Sequence, residues 1–320
     1  MKNALDRWLE SEDAMRDRPG LIAVGLLLLV SYPRELDAQT KLPIIDMHMH
    51  ARTAPALSDG KPAPRPCMPE PCAGAGRVAA VPGDLLRLTL EAMERHNIVL
   101  GFLSDALDSV FKWVDATPRR FMASPLIVNP STIDIARLRR EYEARRLGGM
   151  GEIASQYRGV APTDPRLEPF FALAEEFDLP VLIHTEGIAG ASQDFRIAHG
   201  HPQVLEEVLS RHPRLRLYIE NAGFPFIDET VALMYRYPQV YVDLSTITWI
   251  IPRPMFYRTL SNLTDAGLGQ RLMFGSDQMN WPDTIDDAVD AIQSAPMLTD
   301  GQKRDIFYNN AVRFLRLDKR

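Results

Sequence analysis

The stretch IIDMHMH, residues 44–50, joins two isoleucines to an alternating series of Asp46, His48 and His50. Side chains alternate along a β-strand, so these three polar residues should share one face. If that face lines the inside of a barrel, the two imidazoles can meet one metal ion. An H-x-H pair alone is weak evidence, because two polar residues also fall at a strand end by chance.

The same strand pattern recurs along the rest of the chain. Seven further short runs are apolar or β-branched: NIVLGFLS (97–104), FMASPLIV (121–128), GGMGEIAS (148–155), PVLIHTE (180–186), RLYIENAG (216–223), VYVDLST (240–246) and RLMFGSD (271–277). Amphipathic segments follow the strands, and residues 301–317 close the chain as one more helix. Eight strand–helix units in about 275 residues predict an α/β protein with a (β/α)8 TIM barrel; a doubly wound sheet is the alternative.

Size and charge set limits on the function. The chain has 320 residues, 46% of them hydrophobic, which is enough for one large globular domain or two small ones. A formal net charge of −6 without a long basic run argues against nucleic-acid binding. We therefore expect a barrel domain over residues 43–320 that acts on a small molecule, with homo-oligomer formation left open.

The N-terminal region has the pattern of a secretory signal. The apolar run LIAVGLLLLV (21–30) follows MRDRPG and precedes the small residue Ala38. The run is too short to span a bilayer comfortably, so no stable membrane insertion is expected after cleavage. We predict that residues 1–38 are an N-terminal extension with a signal peptide, that Met15 is the more conventional start, and that the mature protein is periplasmic. A buried helix, an uncleaved anchor and a cytoplasmic location are the alternatives.

A long irregular loop follows the first strand, from Ala51 to about Val81. It contains six prolines and both cysteines of the chain, Cys67 and Cys72. In a barrel this loop lies on the face where active sites are built, and loops of this length are commonly functional. With export expected, a small disulfide is favoured over a metal site, which would need two more soft ligands nearby. Two reduced thiols are the alternative.

Further metal-type ligands fall at the carboxyl ends of other strands. Glu152 ends the fourth strand, His184 ends the fifth and Asp277 ends the eighth. Catalytic residues of TIM barrels come from these strand ends. Together with His48 and His50 they predict a metal centre on that face of the barrel.

This set of motifs resembles the amidohydrolase superfamily, and most closely the amidohydrolase-related family of TIM-barrel metal-dependent hydrolases. NAGFPF (221–226), RLMFGSDQMNWP (271–282) and NNAVRFLRL (309–317) support the resemblance, which covers about residues 43–320. It implies that His48, His50 and Asp277 bind one divalent metal. It also implies that Glu152 bridges two metals in binuclear members, and that His184 binds a second metal or orients the substrate.

One position departs from the family pattern. Members often have His in the turn after the sixth strand, where this chain has Asn221. An amide oxygen is a weaker zinc ligand than imidazole, so we expect one tightly bound ion. Zn²⁺ is the default, although a nitrogen and oxygen donor set also suits manganese or iron. Strand alternation is taken to turn the neighbouring Glu220 away from the barrel interior.

The resemblance implies hydrolysis of an amide, ester or lactone by metal-activated water. Asp277 would accept the proton of the water and return it to the leaving group, and His184 would assist. Two alternatives remain: non-oxidative decarboxylation of a small unsaturated or aromatic acid, and an exported metal-binding protein whose catalysis has decayed. Trp249 and Arg253, after the seventh strand, are expected in the pocket wall, with Arg253 suited to a substrate carboxylate.

Overall fold

The computed structural model describes residues 41–53, 55–70, 77–187 and 192–317. Within these ranges, eight barrel strands are assigned: β1 Ile44–His50, β2 Ile98–Asp105, β3 Phe121–Pro125, β4 Met150–Ile153, β5 Pro180–Ile183, β6 Arg216–Ile219, β7 Tyr241–Asp243 and β8 Leu272–Met273. All of the neighbouring pairs in these sheets are parallel. Every predicted strand is present. The prediction of a (β/α)8 barrel is confirmed, and the alternative of a doubly wound sheet is not.

A helix follows each strand before the next strand begins. The helices are α1 Pro82–His96, α2 Leu107–Ala116, α3 Ile135–Glu143, α4 Glu168–Glu176, α5 Leu205–Arg211, α6 Ile227–Arg236, α7 Arg253–Asp265 and α8 Thr284–Gln293. A closing helical segment runs through Asp300–Arg304, a π-helical turn Asp305–Asn309 and Asn310–Leu315. No helix among the described residues is both long enough and apolar enough to cross a membrane.

The strands form two sheets that meet at both sides of the barrel. One sheet has the order β1-β2-β3 and the other runs from β4 to β8 in sequence order. A parallel bridge between Ile127 and Ile153 joins β3 to β4. On the other side, Met47 N–H donates to the Phe274 carbonyl at 2.9 Å and Asp277 N–H donates to the His48 carbonyl at 2.8 Å. These bonds bring the end of β1 beside the segment that carries Asp277.

Two apolar clusters build the core. The larger one lies between the strands and the surrounding helices, and the smaller one fills the barrel with residues such as Met47, Phe102 and Tyr218. The Tyr218 hydroxyl donates to the Met47 carbonyl at 2.7 Å, and its ring packs edge-on against Phe314 of the closing helix at 5.3 Å. The barrel is therefore a packed interior rather than a pore, and the polar residues lie at its upper end.

The loop after β1 forms a cover over that end. We define the cover loop as residues 55–70 and 77–81; it begins with a small hairpin of Leu57–Ser58 and Lys61–Pro62. Met68 N–H donates to the Ile250 carbonyl at 2.6 Å, and Ala80 N–H donates to the Asn280 carbonyl at 2.8 Å. Cys67 is disulfide-bonded. Its predicted partner Cys72, like the predicted signal peptide, lies outside the described residues.

Candidate metal centre

The two histidines of the opening stretch point together, as strand alternation predicts. His48 and His50 are buried, and their Nε2 atoms lie 3.3 Å apart. Asp46 does not join them: its Oδ1 accepts the backbone N–H groups of His48 at 3.1 Å and Ser276 at 3.0 Å. The expectation that Asp46 shares the face of the two histidines is wrong. The register of β1 against β2 shifts between Asp46 and Met49, which interrupts the strand alternation at this point.

Both imidazoles are oriented through their other nitrogen. His50 Nδ1 lies 3.2 Å from the carbonyl oxygen of Ser104. His48 Nδ1 lies 3.0 Å from Ser245 Oγ and 3.3 Å from Asp243 Oδ2. These acceptors take the Nδ1–H of each ring, so the Nε2 lone pairs are directed into the centre. Metal-binding histidines in proteins are held in this way.

Asp277 and Glu152 approach the histidines from β8 and β4. Asp277 Oδ1 lies 3.1 Å from His50 Nε2 and 3.7 Å from His48 Nε2. Its Oδ2 accepts a hydrogen bond from the Thr246 hydroxyl. Glu152 Oε2 lies 3.4 Å from His50 Nε2. The structure thus brings together four of the five side chains that the sequence predicted for the metal centre as a whole.

Glu152 depends on the glycine before it. Gly151 has φ of +101°, and a Cβ there would lie 2.1 Å from the Leu182 carbonyl oxygen of the neighbouring strand. Only glycine adopts this backbone conformation at such a close approach without strain. The resulting turn directs the Glu152 carboxylate into the centre.

On the far side of the centre, His184 meets a carboxylate that the sequence analysis rejected. His184 Nδ1 lies 3.0 Å from Glu152 Oε1 and 2.9 Å from Glu220 Oε2. Glu220 is fully buried, and its Oε1 lies 3.6 Å from His48 Nε2. The prediction that Glu220 turns away from the interior is wrong. Tyr218 is the interior residue of β6, so alternation places Glu220 on the same side, and this phase could have been deduced from the sequence.

Asn221, the expected replacement for a histidine ligand, serves another purpose. Its Oδ1 accepts the Ser245 hydroxyl at 2.7 Å and the Thr246 N–H at 3.0 Å. Its φ of +55° and that of Ala222, +53°, are left-handed, a conformation that Asn adopts more readily than most residues. Asn221 therefore shapes the turn after β6, and Glu220 occupies the place facing the metal ligands.

The donor atoms fit a divalent cation. Two buried groups of ligand atoms each lie within 4.8 Å of one another, His48 with His50 and Glu152, and Glu152 with His184 and Glu220. Glu220 Oε1 and Asp277 Oδ1 are buried without a hydrogen-bond partner among the described residues. Buried carboxylate oxygens are costly unless they are paired or bind a metal. Glu152 belongs to both groups, which is the arrangement of a bridging carboxylate.

The electrostatics agree with this fit. Burial raises the pKa of Glu220 well above its ordinary value, and the Glu152 carboxylate raises it further. Burial would lower the pKa of His48, but the charges of Glu220 and Asp277 outweigh it and raise that pKa well above its ordinary value. The Glu220 shift reflects burial first and the neighbouring Glu152 carboxylate second, and the His48 shift reflects the carboxylates around the imidazole. A divalent cation would compensate this buried negative charge.

A cavity of about 400 Å³ opens above the ligands. Its lining includes Arg52, Tyr157 and Glu186, together with Pro66 and Met68 of the cover loop. This volume lies at the small end of the range for ligand pockets. The cover loop therefore shapes the site, as its position after β1 indicated.

The two residues predicted for the pocket wall after β7 lie elsewhere. Arg253 is at the start of α7, where its Nη1 lies 3.3 Å from Asp290. Trp249 donates its indole N–H to the Ser276 carbonyl at 2.8 Å. A four-residue helix, Ile247–Ile250, separates β7 from α7, and its last residue lines the cavity. Neither residue lines the cavity, so the expectation of a substrate carboxylate at Arg253 is wrong.

Comparison with known proteins identifies one family, and the solved structures that resemble the chain share its fold. A family model described as Amidohydrolase matches residues 45–317. A search of curated proteins finds no match.

Solved structures resemble the chain over most of its length. A protein described as a probable 2-pyrone-4,6-dicarboxylic acid hydrolase from Acinetobacter baumannii is 14% identical, with a TM-score of 0.58 over 85% of this chain and 99% of that one. A 5-carboxyvanillate decarboxylase from Sphingomonas paucimobilis is 17% identical, with a TM-score of 0.54 over 86% and 99%. An amidohydrolase from Burkholderia multivorans with bound zinc is 17% identical, with a TM-score of 0.56 over 86% and 99%. At these identities the likeness shows the fold alone.

Proposed function

The chain belongs to the amidohydrolase family, and from that premise we propose that it is a metal-dependent hydrolase of a small molecule. The bond that it cleaves is an amide, an ester or a lactone. One observation carries the proposal: two buried groups of histidine and carboxylate donors share Glu152 at the end of a cavity of about 400 Å³. Such a constellation is costly to build unless it binds metal.

We propose a set of ligands for each ion. His48, His50, Glu152 and Asp277 would hold the first divalent metal, and Glu152, His184 and Glu220 would hold a second. Imidazole and carboxylate ligands without thiolate suit Zn²⁺ best among common ions, and manganese or iron next. A bound divalent metal supplies two things, a lower pKa for a water molecule and polarisation of a substrate carbonyl.

Asp277 is the proton carrier of the proposed reaction. The Thr246 hydroxyl holds its Oδ2, while Oδ1 is buried and lacks a hydrogen-bond partner among the described residues. This oxygen accepts the proton of the attacking water and returns it to the leaving group. Burial would raise the pKa of Asp277, but the charge of His48, the nearby imidazole of His50 and the hydrogen bond from Thr246 lower it below its ordinary value. The carboxylate therefore starts in the form that accepts a proton.

His184 acts as a ligand rather than as a second proton carrier. Its Nδ1 faces Glu152 and Glu220, and its Nε2 lies 3.1 Å from Glu186 Oε1. With the ring proton on Nε2, beside the Glu186 carboxylate, the Nδ1 lone pair would be left for the second ion. This orientation by a carboxylate is common among metal-binding histidines.

Decarboxylation of a small acid is the second candidate. It is favoured by Arg52, the one basic side chain besides the histidines among the described cavity residues, which suits a substrate carboxylate. One of the structural relatives is a decarboxylase. The third candidate, a metal-binding protein with decayed catalysis, rested on the loss of a ligand at Asn221, and Glu220 removes that argument.

A combined metal and substrate assay tests the proposal. Purified protein would be analysed for bound metals and then assayed on aryl esters, lactones and aromatic acids. We expect zinc, and acid release from an ester or lactone that stops when a chelator removes the metal. Carbon dioxide release without hydrolysis would favour the decarboxylase. Metal-independent hydrolysis would contradict the metal-based mechanism.

We also propose that the protein is exported. The Arg-flanked apolar run at residues 21–30 supports this, and so does the disulfide at Cys67, because disulfides persist in oxidising compartments. Mass spectrometry of periplasmic material should find an N-terminus near Ala38. An intact N-terminus at Met1 would contradict it.

A further inference from the structure

Two charged side chains face the cavity without belonging to the metal ligand set. Arg52 follows β1, two residues after His50, and Glu186 follows β5, two residues after His184. In a barrel of eight strands the first and fifth lie on opposite sides. A ligand that crosses the metal centre would therefore have the guanidinium on one side and the carboxyl group on the other.

The Arg52 guanidinium has donors to spare. Its Nη1 lies 3.5 Å from Asp105 Oδ2, and that oxygen has no hydrogen-bond partner among the described residues. The contact is therefore a loose ion pair rather than a hydrogen bond. The side chain is 30% exposed, which keeps it accessible from the cavity. Arginine presents a planar set of N–H groups that matches a carboxylate.

Glu186 places a carboxylate on the wall opposite the Arg52 guanidinium. The residue is 5% exposed, and its Oε1 is paired with His184. Its Oε2 is buried without a hydrogen-bond partner among the described residues. A second carboxylate on a ligand would meet this oxygen, and like charges repel strongly at a desolvated contact.

Apart from the metal ligands, Tyr157 and Thr246, the other residues of the cavity wall are apolar. They include Met68, Leu126, Val128, Ile250 and Trp281. A volume of about 400 Å³ with such walls suits a single ring or a short branched chain.

We propose that the site takes a small, largely apolar monocarboxylate whose carboxylate is anchored by Arg52, and that Glu186 disfavours dicarboxylates. This inference rests on the proposed function only for the location of the site. It deepens that function by naming the class of substrate, and it makes Arg52 and Glu186 specificity residues rather than catalytic ones.

Three probes of similar size separate the effect of one ligand carboxylate from the effect of a second. Calorimetric titration of the metal-containing protein as purified would use benzoate, its uncharged analogue benzamide, and isophthalate, which adds a second carboxylate. We expect benzoate to bind about 10- to 100-fold more tightly than benzamide, the range for a charge-assisted pair. Isophthalate should bind more weakly than benzoate.

Variants then assign the effects to residues. Arg52→Gln should remove most of the preference for benzoate over benzamide, and Arg52→Lys should keep part of it, because the charge stays but the planar set of donors is lost. Glu186→Gln should bring isophthalate closer to benzoate. Arg253→Gln, outside the cavity, should change none of these affinities. For the Arg52 and Arg253 variants, metal content close to that of the wild-type protein will show that they are folded. For Glu186→Gln, circular dichroism will show the fold, because this change also alters the carboxylate beside His184.

Three results would overturn this proposal. An undiminished preference for benzoate over benzamide in Arg52→Gln, or no measurable benzoate binding by the original protein, would show that Arg52 does not anchor a carboxylate. Equal binding of benzoate and isophthalate by the original protein would show that Glu186 does not disfavour dicarboxylates. None of these depends on turnover. A protein that hydrolyses neutral esters but does not distinguish benzoate from benzamide keeps the proposed function and loses the anchor. Arg52-dependent binding without any hydrolysis gives the reverse outcome.

Discussion

The two sides of the metal centre are built differently. On the near side, His48 and His50 come from one strand and are fixed by acceptors on their Nδ1 atoms. On the far side, His184 and Glu220 come from two strand ends and contact each other directly, with 2.9 Å between Nδ1 and Oε2. The near side therefore depends on one strand and its neighbours, whereas the far side depends on how two strand ends meet.

This difference implies different affinities for metal. Two oriented imidazoles lose little freedom on binding an ion, because surrounding hydrogen bonds already hold them. On the far side, Glu220 is positioned by a left-handed turn at Asn221 and Ala222, and its carboxyl group is hard to keep charged without a cation. We expect the near site to fill first and to retain its ion longer.

The largest effect should follow from His48→Ala. This change removes a ligand of the near site and leaves a hole beside Glu220 and Asp277. Metal content and turnover should be lost together, because His50 and the two carboxylates of the first site cannot replace the missing imidazole. Elemental analysis and the ester assay measure the two quantities, with His199→Ala in an outlying loop as control. Full metal retention would show that the near side is not the tighter site.

Asp277→Asn should separate metal from turnover. The amide keeps the shape and one oxygen donor but cannot carry the proton. Turnover should fall by about 10²–10⁴-fold, the usual contribution of general acid–base catalysis, whereas metal content should fall only in part. Parallel measurement of rate and bound metal on the same preparation checks this. Near-normal turnover would exclude Asp277 as the proton carrier and favour a reaction that needs no base there.

Glu220→Gln tests the far side alone. The amide removes the charge that completes the group with Glu152 and His184, so the second ion should be lost while the first remains. Turnover should fall by about 10- to 100-fold, as when a metal site loses a supporting group. Metal titration after partial chelation measures the stoichiometry, and Glu229→Gln, at a partly exposed position on α6, is the control. An unchanged stoichiometry would mean that Glu220 does not bind metal.

The same contrast explains what the sequence could predict. His48 and His50 could be recognised as a pair because one strand carries both. The eight strand patterns predicted the barrel and the strand ends where Glu152, His184 and Asp277 lie. Glu220 was missed because Asn221, which stands where a histidine was expected, was assumed to face the barrel interior. Strand alternation then turned Glu220 outward. Tyr218, as a large residue two positions earlier, was the available signal for the correct phase.

Other parts of the site could not be deduced from local pattern. Arg253 follows β7 closely in sequence, yet it lies at the start of α7 beside Asp290 and does not line the cavity. Arg52 and Glu186 form a functional pair only because β1 and β5 lie opposite each other. The cover loop contributes Met68 to the cavity through a backbone bond to Ile250, a contact between segments far apart in sequence.

The smallest effect we predict concerns Ser245, which links the two sides. Its hydroxyl lies 3.0 Å from His48 Nδ1 and 2.7 Å from Asn221 Oδ1. Ser245→Ala removes the contact to the near side and one of the bonds that hold the turn that follows Glu220. Asp243 Oδ2, at 3.3 Å from His48 Nδ1, can still accept the imidazole N–H. We therefore expect metal affinity to fall by about 10-fold, at the low end for a supporting residue.

A double-mutant cycle shows whether Ser245 acts on both sides or on one. Asn221→Ala alone should loosen the turn, because it removes two hydrogen bonds at a left-handed residue and should cost about 1–3 kcal/mol of stability. If Ser245 supports Glu220 through Asn221, the double variant should lose less far-site affinity than the sum of the two single losses. If Ser245 acts only through His48, the losses in far-site affinity should add. Additive losses, measured by metal titration against a competing chelator, would mean that the two sides of the centre are positioned independently.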